Sequence, residues 1–121
     1  MTRPPRIGIT LDCADPEPVA AFWETFLGYE RRPHEAGATY ITLDRSSDVD
    51  GPPNLTFQRV PEPKVGKARV HLDLFVAHAG PMVDDMIAAG ATRVATTEAG
   101  EWTTRVMQDP AGNEFCVIGP G

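Results

Sequence analysis

Leu11-Asp12, Gly28 and Glu35-Ala36-Gly37 return, in the same order, as Leu72-Asp73, Gly90 and Glu98-Ala99-Gly100. The offsets are 61, 62 and 63 residues. Any one of these matches is weak on its own. An ordered set whose spacing drifts by one residue at a time is what small loop insertions in a duplicated module produce. A fixed-period repeat determines architecture before any local reading does. Two copies are too few for a solenoid, so the chain reads as a pseudo-symmetric domain.

Working outward from the first Leu-Asp pair, Ile7, Ile9, Leu11 and Cys13 alternate with Gly8, Thr10 and Asp12. A period of two predicts a strand with one apolar face. Asp15-Pro16-Glu17 then has the order of a helix start: Asp as N-cap, Pro at the first position, acid in the first turn. Val19, Phe22, Trp23, Phe26 and Leu27 follow at helical spacing, and Gly28 ends the stripe. Strands are predicted near Tyr29–Arg32, Thr39–Leu43 and Leu55–Val60. Glu35-Ala36-Gly37 and Asp50-Gly51-Pro52-Pro53 form the turns between them. The second half repeats this order. Val70, Leu72, Leu74 and Val76 alternate with His71, Asp73 and Phe75. Gly80-Pro81 opens a helix carrying Val83, Met86 and Ile87, and Gly90 closes it. Strands follow near Thr92–Thr96, Trp102–Gln108 and Glu114–Ile118. Asp109-Pro110-Ala111-Gly112-Asn113 supplies the last turn.

The fold class is therefore α+β. Two pseudo-symmetric βαβββ modules, about residues 5–61 and 68–119 of a single domain spanning 1–121, are expected to place curved mixed sheets around a cavity, with one helix outside each sheet. The apolar sets beginning at Ile7 and Val70 should lie under the helices. Thr10, Asp12, His71, Asp73 and Phe75 fall on the opposite face.

Composition agrees with one globular domain: 121 residues, 41% hydrophobic and 23% charged. The net charge of −6 and the scattered basic residues argue against nucleic acid as a partner. The densest basic group, Lys64, Lys67 and Arg69, reads as a solvated loop between the halves. Cys13 and Cys116 lie in apolar runs and read as reduced core residues. No apolar stretch follows Met1-Thr2-Arg3-Pro4-Pro5, and no segment approaches membrane-spanning length, which predicts a cytoplasmic protein with no membrane partner.

Four strings carry a family resemblance: Leu11-Asp12-Cys13-Ala14-Asp15-Pro16; Ala21-Phe22-Trp23 with Leu27-Gly28-Tyr29; His71-Leu72-Asp73-Leu74; and Asp109-Pro110-Ala111-Gly112-Asn113-Glu114-Phe115. With the βαβββ repeat they resemble the vicinal oxygen chelate superfamily of glyoxalases, extradiol dioxygenases and bleomycin-resistance proteins, and within it the glyoxalase-like branch of small bacterial proteins. That resemblance implies a divalent metal held by the first and last strands of each half. By position, His71 is one ligand. Its counterpart is Gly8, counting back from the helix starts, or Thr10, aligning the Leu-Asp pairs. Cys116 stands where a glutamate is usual, with Glu114 two residues earlier, and Gln58 is the nearest first-half candidate. The chain departs from the metal pattern at two or more of four positions. His71 with Gln58 and Glu114, or with Asp12 and Asp73, are the alternative ligand sets.

The leading expectation is a metal-independent protein that binds an apolar or aromatic metabolite or antibiotic in the cavity between the sheets, with no cofactor. The alternative is a lyase or isomerase acting on a small oxygenated substrate. There His71 is the base or the residual ligand of one divalent metal, and Asp73 and Asp12 are its acid–base partners. Thr10, Gln58, Phe75, Trp102, Glu114 and Cys116 are the expected ligand-contacting residues. Trp23 and Cys116 carry structural readings as well, His34 and His78 read as solvated, and a homodimer is expected.

Overall fold

A computed structural model describes residues 5–45 and 51–121. The chain divides between Pro63 and Lys64 into two compact units. The first holds β1 (Gly8–Cys13), α1 (Pro16–Leu27), β2 (Glu30–Arg31), β3 (Tyr40–Asp44) and β4 (Asn54–Arg59). The second holds β5 (Leu72–Phe75), α2 (Ala79–Ala88), β6 (Thr92–Ala99), β7 (Trp102–Gln108) and β8 (Glu114–Gly119). Each unit is strand, helix and three strands, as the repeat predicts, and the class is α+β. The sheet orders correspond, β1-β4-β3-β2 and β5-β8-β7-β6. In both, the first strand pairs parallel to the last and the other pairs are antiparallel. Neither sheet closes on itself.

The sequence signals at α1 have the predicted physical roles. Asp15 is extended, and its carboxylate accepts from the Glu17 N–H at 3.2 Å. Pro16 sits in the first turn, and Gly28 closes the helix at φ 66 with its N–H on Glu24 O. Val19, Phe22 and Trp23 are buried. They belong to a core with Ile41, Leu43, Leu55 and Phe57, supplied by the inward faces of β3 and β4. Each large apolar side chain buried this fully contributes about 1.5–3 kcal/mol. Arg31 ties β2 to this helix, donating to Glu24 at 2.5 Å and to Glu17 at 2.6 Å. His34 joins the network 3.3 Å from Arg31 with its side chain 17% exposed, so it is not the solvated residue expected.

In α2 the buried stripe is Ala79, Val83 and Met86. Ile87, at the edge of that stripe, is 42% exposed. Ile7 and Val70 are also exposed, contrary to the reading that placed them under the helices. The ladders begin only at Gly8↔Asn54 and Leu72↔Phe115, so the alternation in the sequence outruns the strands. The repeated Glu-Ala-Gly triplet serves two different turns. Its first copy lies in the β2–β3 connection. In its second copy Glu98 and Ala99 close β6, and Gly100 begins a two-residue hairpin to Trp102. What the copies share is the glycine's left-handed backbone, φ 72 at Gly37 and φ 64 at Gly100. Asp50 of the predicted β3–β4 turn lies outside the described residues. Among the described residues no helix is long and apolar enough to cross a membrane.

Candidate functional site

Strand register sorts the second sheet into cross-strand rows. On the face away from the α2 core, Asp73, Cys116, Val106 and Ala95 form one row. Phe75, Ile118, Thr104 and Thr97 form the next, and Glu114, Gln108 and Thr92 flank the first row on its other side. His71 immediately precedes β5 and shares the parity of Asp73 and Phe75. Trp102 lies one step beyond the Phe75 row, at the start of β7 and paired with Ala99. The face is graded. Imidazole and carboxylates occupy one end. Phe75, 71% exposed, and Trp102, 51% exposed, occupy the other.

Three expected site residues converge in this unit. The Asp73 carboxylate lies 3.2 Å from His71 Nδ1, and the Cys116 sulfur lies 3.8 Å from the same nitrogen. His71 and Asp73 are each about two-fifths exposed, while Cys116 is buried. Burial foremost, then the charge of Asp73 and a hydrogen bond to it, push the Cys116 thiol up. The Lys67 ammonium opposes them weakly. The thiol is therefore held protonated at neutral pH, unlike a nucleophilic cysteine. Both cysteines are buried and neither forms a disulfide, in accord with the core reading.

Glu114, on the same face, is engaged by residues outside the sheet. It is buried, and both carboxylate oxygens point to residues 64–68. Oε1 accepts from Lys64 Nζ at 2.7 Å and Oε2 from the Ala68 N–H at 3.0 Å. Burial alone would raise the Glu114 carboxyl, but the Lys64 and Ala68 hydrogen bonds outweigh it and hold it below the usual carboxylate range. The loop carrying Lys64, Lys67 and Arg69 is exposed, as the sequence suggests, but the Lys64 ammonium turns in to this carboxylate. A pair 50 residues apart leaves no local signal in a sequence.

The donor set bears on the superfamily's metal. His71, Asp73 and Cys116 offer three ligand atoms within 4.8 Å of one another, a spacing that would admit an ion. They are one nitrogen, one oxygen and one sulfur. The thiol, pushed up by burial and Asp73, would have to give up its proton to ligate, so an ion there competes with that proton. Asp73 is engaged with His71, and Glu114 with Lys64 and Ala68. These residues do not fit the nitrogen–oxygen set that the resemblance implies.

Thr10, Asp12 and Gln58 lie together on the corresponding face of the first sheet. Register pairs Thr10 with Thr56 and Asp12 with Gln58. Gln58 Nε2 donates to the Tyr40 hydroxyl at 3.3 Å, and the Thr42 and Thr56 hydroxyls are 2.9 Å apart. Gly8 supplies no donor, and a Cβ there would meet Asn54 Oδ1 at 2.7 Å. Alternation adds Asp44 and its register partner Glu30 to this face, with Arg6 and Arg32 ion-paired to Asp44, whereas its counterpart carries imidazole, carboxylate and thiol.

The sequence profile of the glyoxalase-like domain matches residues 8–118. The chain belongs to that family. Membership places this glyoxalase-like domain in the vicinal oxygen chelate superfamily. It is similar in fold to a glyoxalase/bleomycin resistance protein/dioxygenase family enzyme from Burkholderia phytofirmans, with 21% identity, a TM-score of 0.71 and coverage of 93% of this chain and 96% of that one. It is also similar to lactoylglutathione lyase from Agrobacterium tumefaciens, at 16% identity, a TM-score of 0.62 and coverage of 97% and 96%. A third is the bleomycin-binding protein of Streptomyces verticillus, at 17% identity, a TM-score of 0.59 and coverage of 100% and 98%. At these identities the likeness concerns the fold. Among curated proteins, none matches the sequence.

Proposed function

We propose that this glyoxalase-like domain binds an apolar or aromatic metabolite or antibiotic on the face of the second sheet away from α2, without a metal. The graded face carries the reading. His71 and Asp73 give a ligand's polar group two hydrogen-bonding partners, and Phe75, Ile118 and Trp102 give its hydrocarbon an apolar surface. Large exposed apolar side chains beside a few convergent polar groups are the composition of a ligand site. The similar bleomycin-binding protein is bound to copper(II)-bleomycin in its crystal, which supports a ligand role for the fold. The test is NMR titration with a panel of aromatic metabolites and with bleomycin, in the presence of a chelator. Shifts should concentrate at Asp73, Phe75, Trp102 and Cys116. Phe75→Ala should weaken binding about tenfold, equivalent to ~1.4 kcal/mol. Shifts confined to other residues, or binding lost on chelation, would remove the proposal.

A second reading rests on the His71–Asp73 contact. A carboxylate that accepts from Nδ1–H fixes the imidazole tautomer and leaves Nε2 as a base, the arrangement a lyase or isomerase needs for proton abstraction. Solvent deuterium exchange into small carbonyl compounds tests it. His71→Ala and Asp73→Asn should each abolish exchange with the fold intact, and exchange unchanged in both variants removes the role. The expected homodimer is likewise a proposal, checked by sedimentation as twice the 13.1 kDa chain mass.

A further inference from the structure

Residues 64–71 enter the site without belonging to the sheet. The β5–β8 ladder starts only at Leu72↔Phe115, so the backbone pairing that aligns Asp73 with Cys116 does not reach His71. His71 therefore depends on what holds the chain before it. Two hydrogen bonds from this stretch run to one buried side chain. Lys64 Nζ binds Glu114 Oε1 at 2.7 Å and also Gly66 O at 2.5 Å, closing a turn in which Gly66 has φ 75. Ala68 N–H binds Glu114 Oε2 at 3.0 Å. The Lys64 stem passes beside Gly112, where an added Cβ would lie 3.8 Å from Lys64 Cδ.

The geometry is that of a clasp. A carboxylate at the start of β8, two residues before Cys116, grips the incoming segment at two points. Ala68 precedes His71 by three residues, so about 10 Å of chain at full extension separates the gripped N–H from the imidazole-bearing residue. A tether this short limits where the ring can sit. The grip is charge-assisted, and its carboxylate is buried while the lysine stays partly exposed. The segment also carries Lys67, whose charge reaches the Cys116 thiol.

We propose that the Lys64–Glu114–Ala68 clasp positions His71 against Asp73 and Cys116, making Glu114 and Lys64 positioning residues for the ligand face. This rests on the reading of His71 as a group that meets the ligand. Glu114 then has a role that its place beside Cys116 alone does not suggest. It is a support for the imidazole and not a ligand of the site.

The experiment needs no ligand. Amide exchange at Ala68 and the ring-nitrogen shifts of His71 are measured by NMR in the intact chain for wild type, Glu114→Ala, Lys64→Met and Lys64→Arg. In Glu114→Ala and Lys64→Met, Ala68 exchange should accelerate at least tenfold, and the His71 ring nitrogens should move toward the values of a free histidine. Amides of α2 should stay protected. Lys64→Arg, which keeps the charge, should restore both signals. If Glu114→Ala fails to fold, Lys64→Met carries the test, since the Lys64 side chain is 28% exposed. Ala68 released with the His71 ring unmoved would overturn the proposal, as would Ala68 protection unchanged in Lys64→Met. A chain that binds none of the probe metabolites and still shows the coupled change would refute the binding proposal and leave the clasp standing.

Discussion

Gly119→Ala should destabilise the second unit far more than a methyl group ordinarily does. A Cβ built at Gly119 lies nearer the Val76 carbonyl oxygen than the 3.0 Å that real Cβ atoms respect, with Val76 C at 3.2 Å and Cγ2 at 3.6 Å. The obstacle is backbone, so no rotamer change relieves it. Val76 must move, and its N–H is bound to Ile118 O at 3.0 Å, the bond that continues the β5–β8 pairing. Overpacking a fitted site costs about 1–3 kcal/mol. Weakening the hydrogen bond adds about 1 kcal/mol. Restricting the unfolded chain returns roughly 0.4–1 kcal/mol. The net loss is about 1–3.6 kcal/mol, or roughly 4–14 °C in Tm for a domain of this size. Urea denaturation followed by circular dichroism measures it. A loss under about 0.5 kcal/mol, the level of an ordinary surface change, would refute the close-approach argument.

Asp73→Asn removes a charge and a hydrogen bond that push the Cys116 thiol up, so its titration should move to lower pH, read from the Cys116 Cβ chemical shift; an unmoved curve removes Asp73 as a cause. Glu114 has a folded-state pKa below its unfolded one, so it contributes stability above the unfolded value that is lost as pH falls through the folded one. Glu114→Gln should therefore be less stable than wild type at pH 7 and approach it in acid, and a gap that is constant with pH would contradict this. Arg31→Met breaks two partly exposed ion pairs and should cost about 1 kcal/mol, shrinking in high salt. A thermal-shift series with added sodium chloride checks both the size and the salt trend.

Element order, strand faces and the α1 caps were legible because each rests on local periodicity or on one capping residue. The ends of the apolar alternation were not. Ile7 and Val70 continue a pattern whose partner strand has already stopped, and the partner lies some 45 residues away. The meeting of His71, Asp73 and Cys116 was half legible. Alternation placed His71 and Asp73 on one face, whereas β5–β8 register brought in the thiol. Alternation sets Glu114 on the face of Cys116 and gives no sign of its bonds to Lys64 and Ala68. Burial and a distant lysine leave no local trace. His34 is similarly opaque to a local reading, since Arg31 and Glu17 close over it from other elements.

All eight residues of β6 are exposed, and the strand is held on one edge only, by β7. With no buried face, a shift along β7 would strand no apolar side chain in water. Alignment is left to the Gly100 hairpin and to the irregularity between Arg93 and Ala95. Opening β6 locally costs little beyond its ladder bonds. It is therefore the part of the second sheet where solvent exchange and proteolytic nicking begin, while β8, paired on both sides and mostly buried, exchanges only when the unit unfolds.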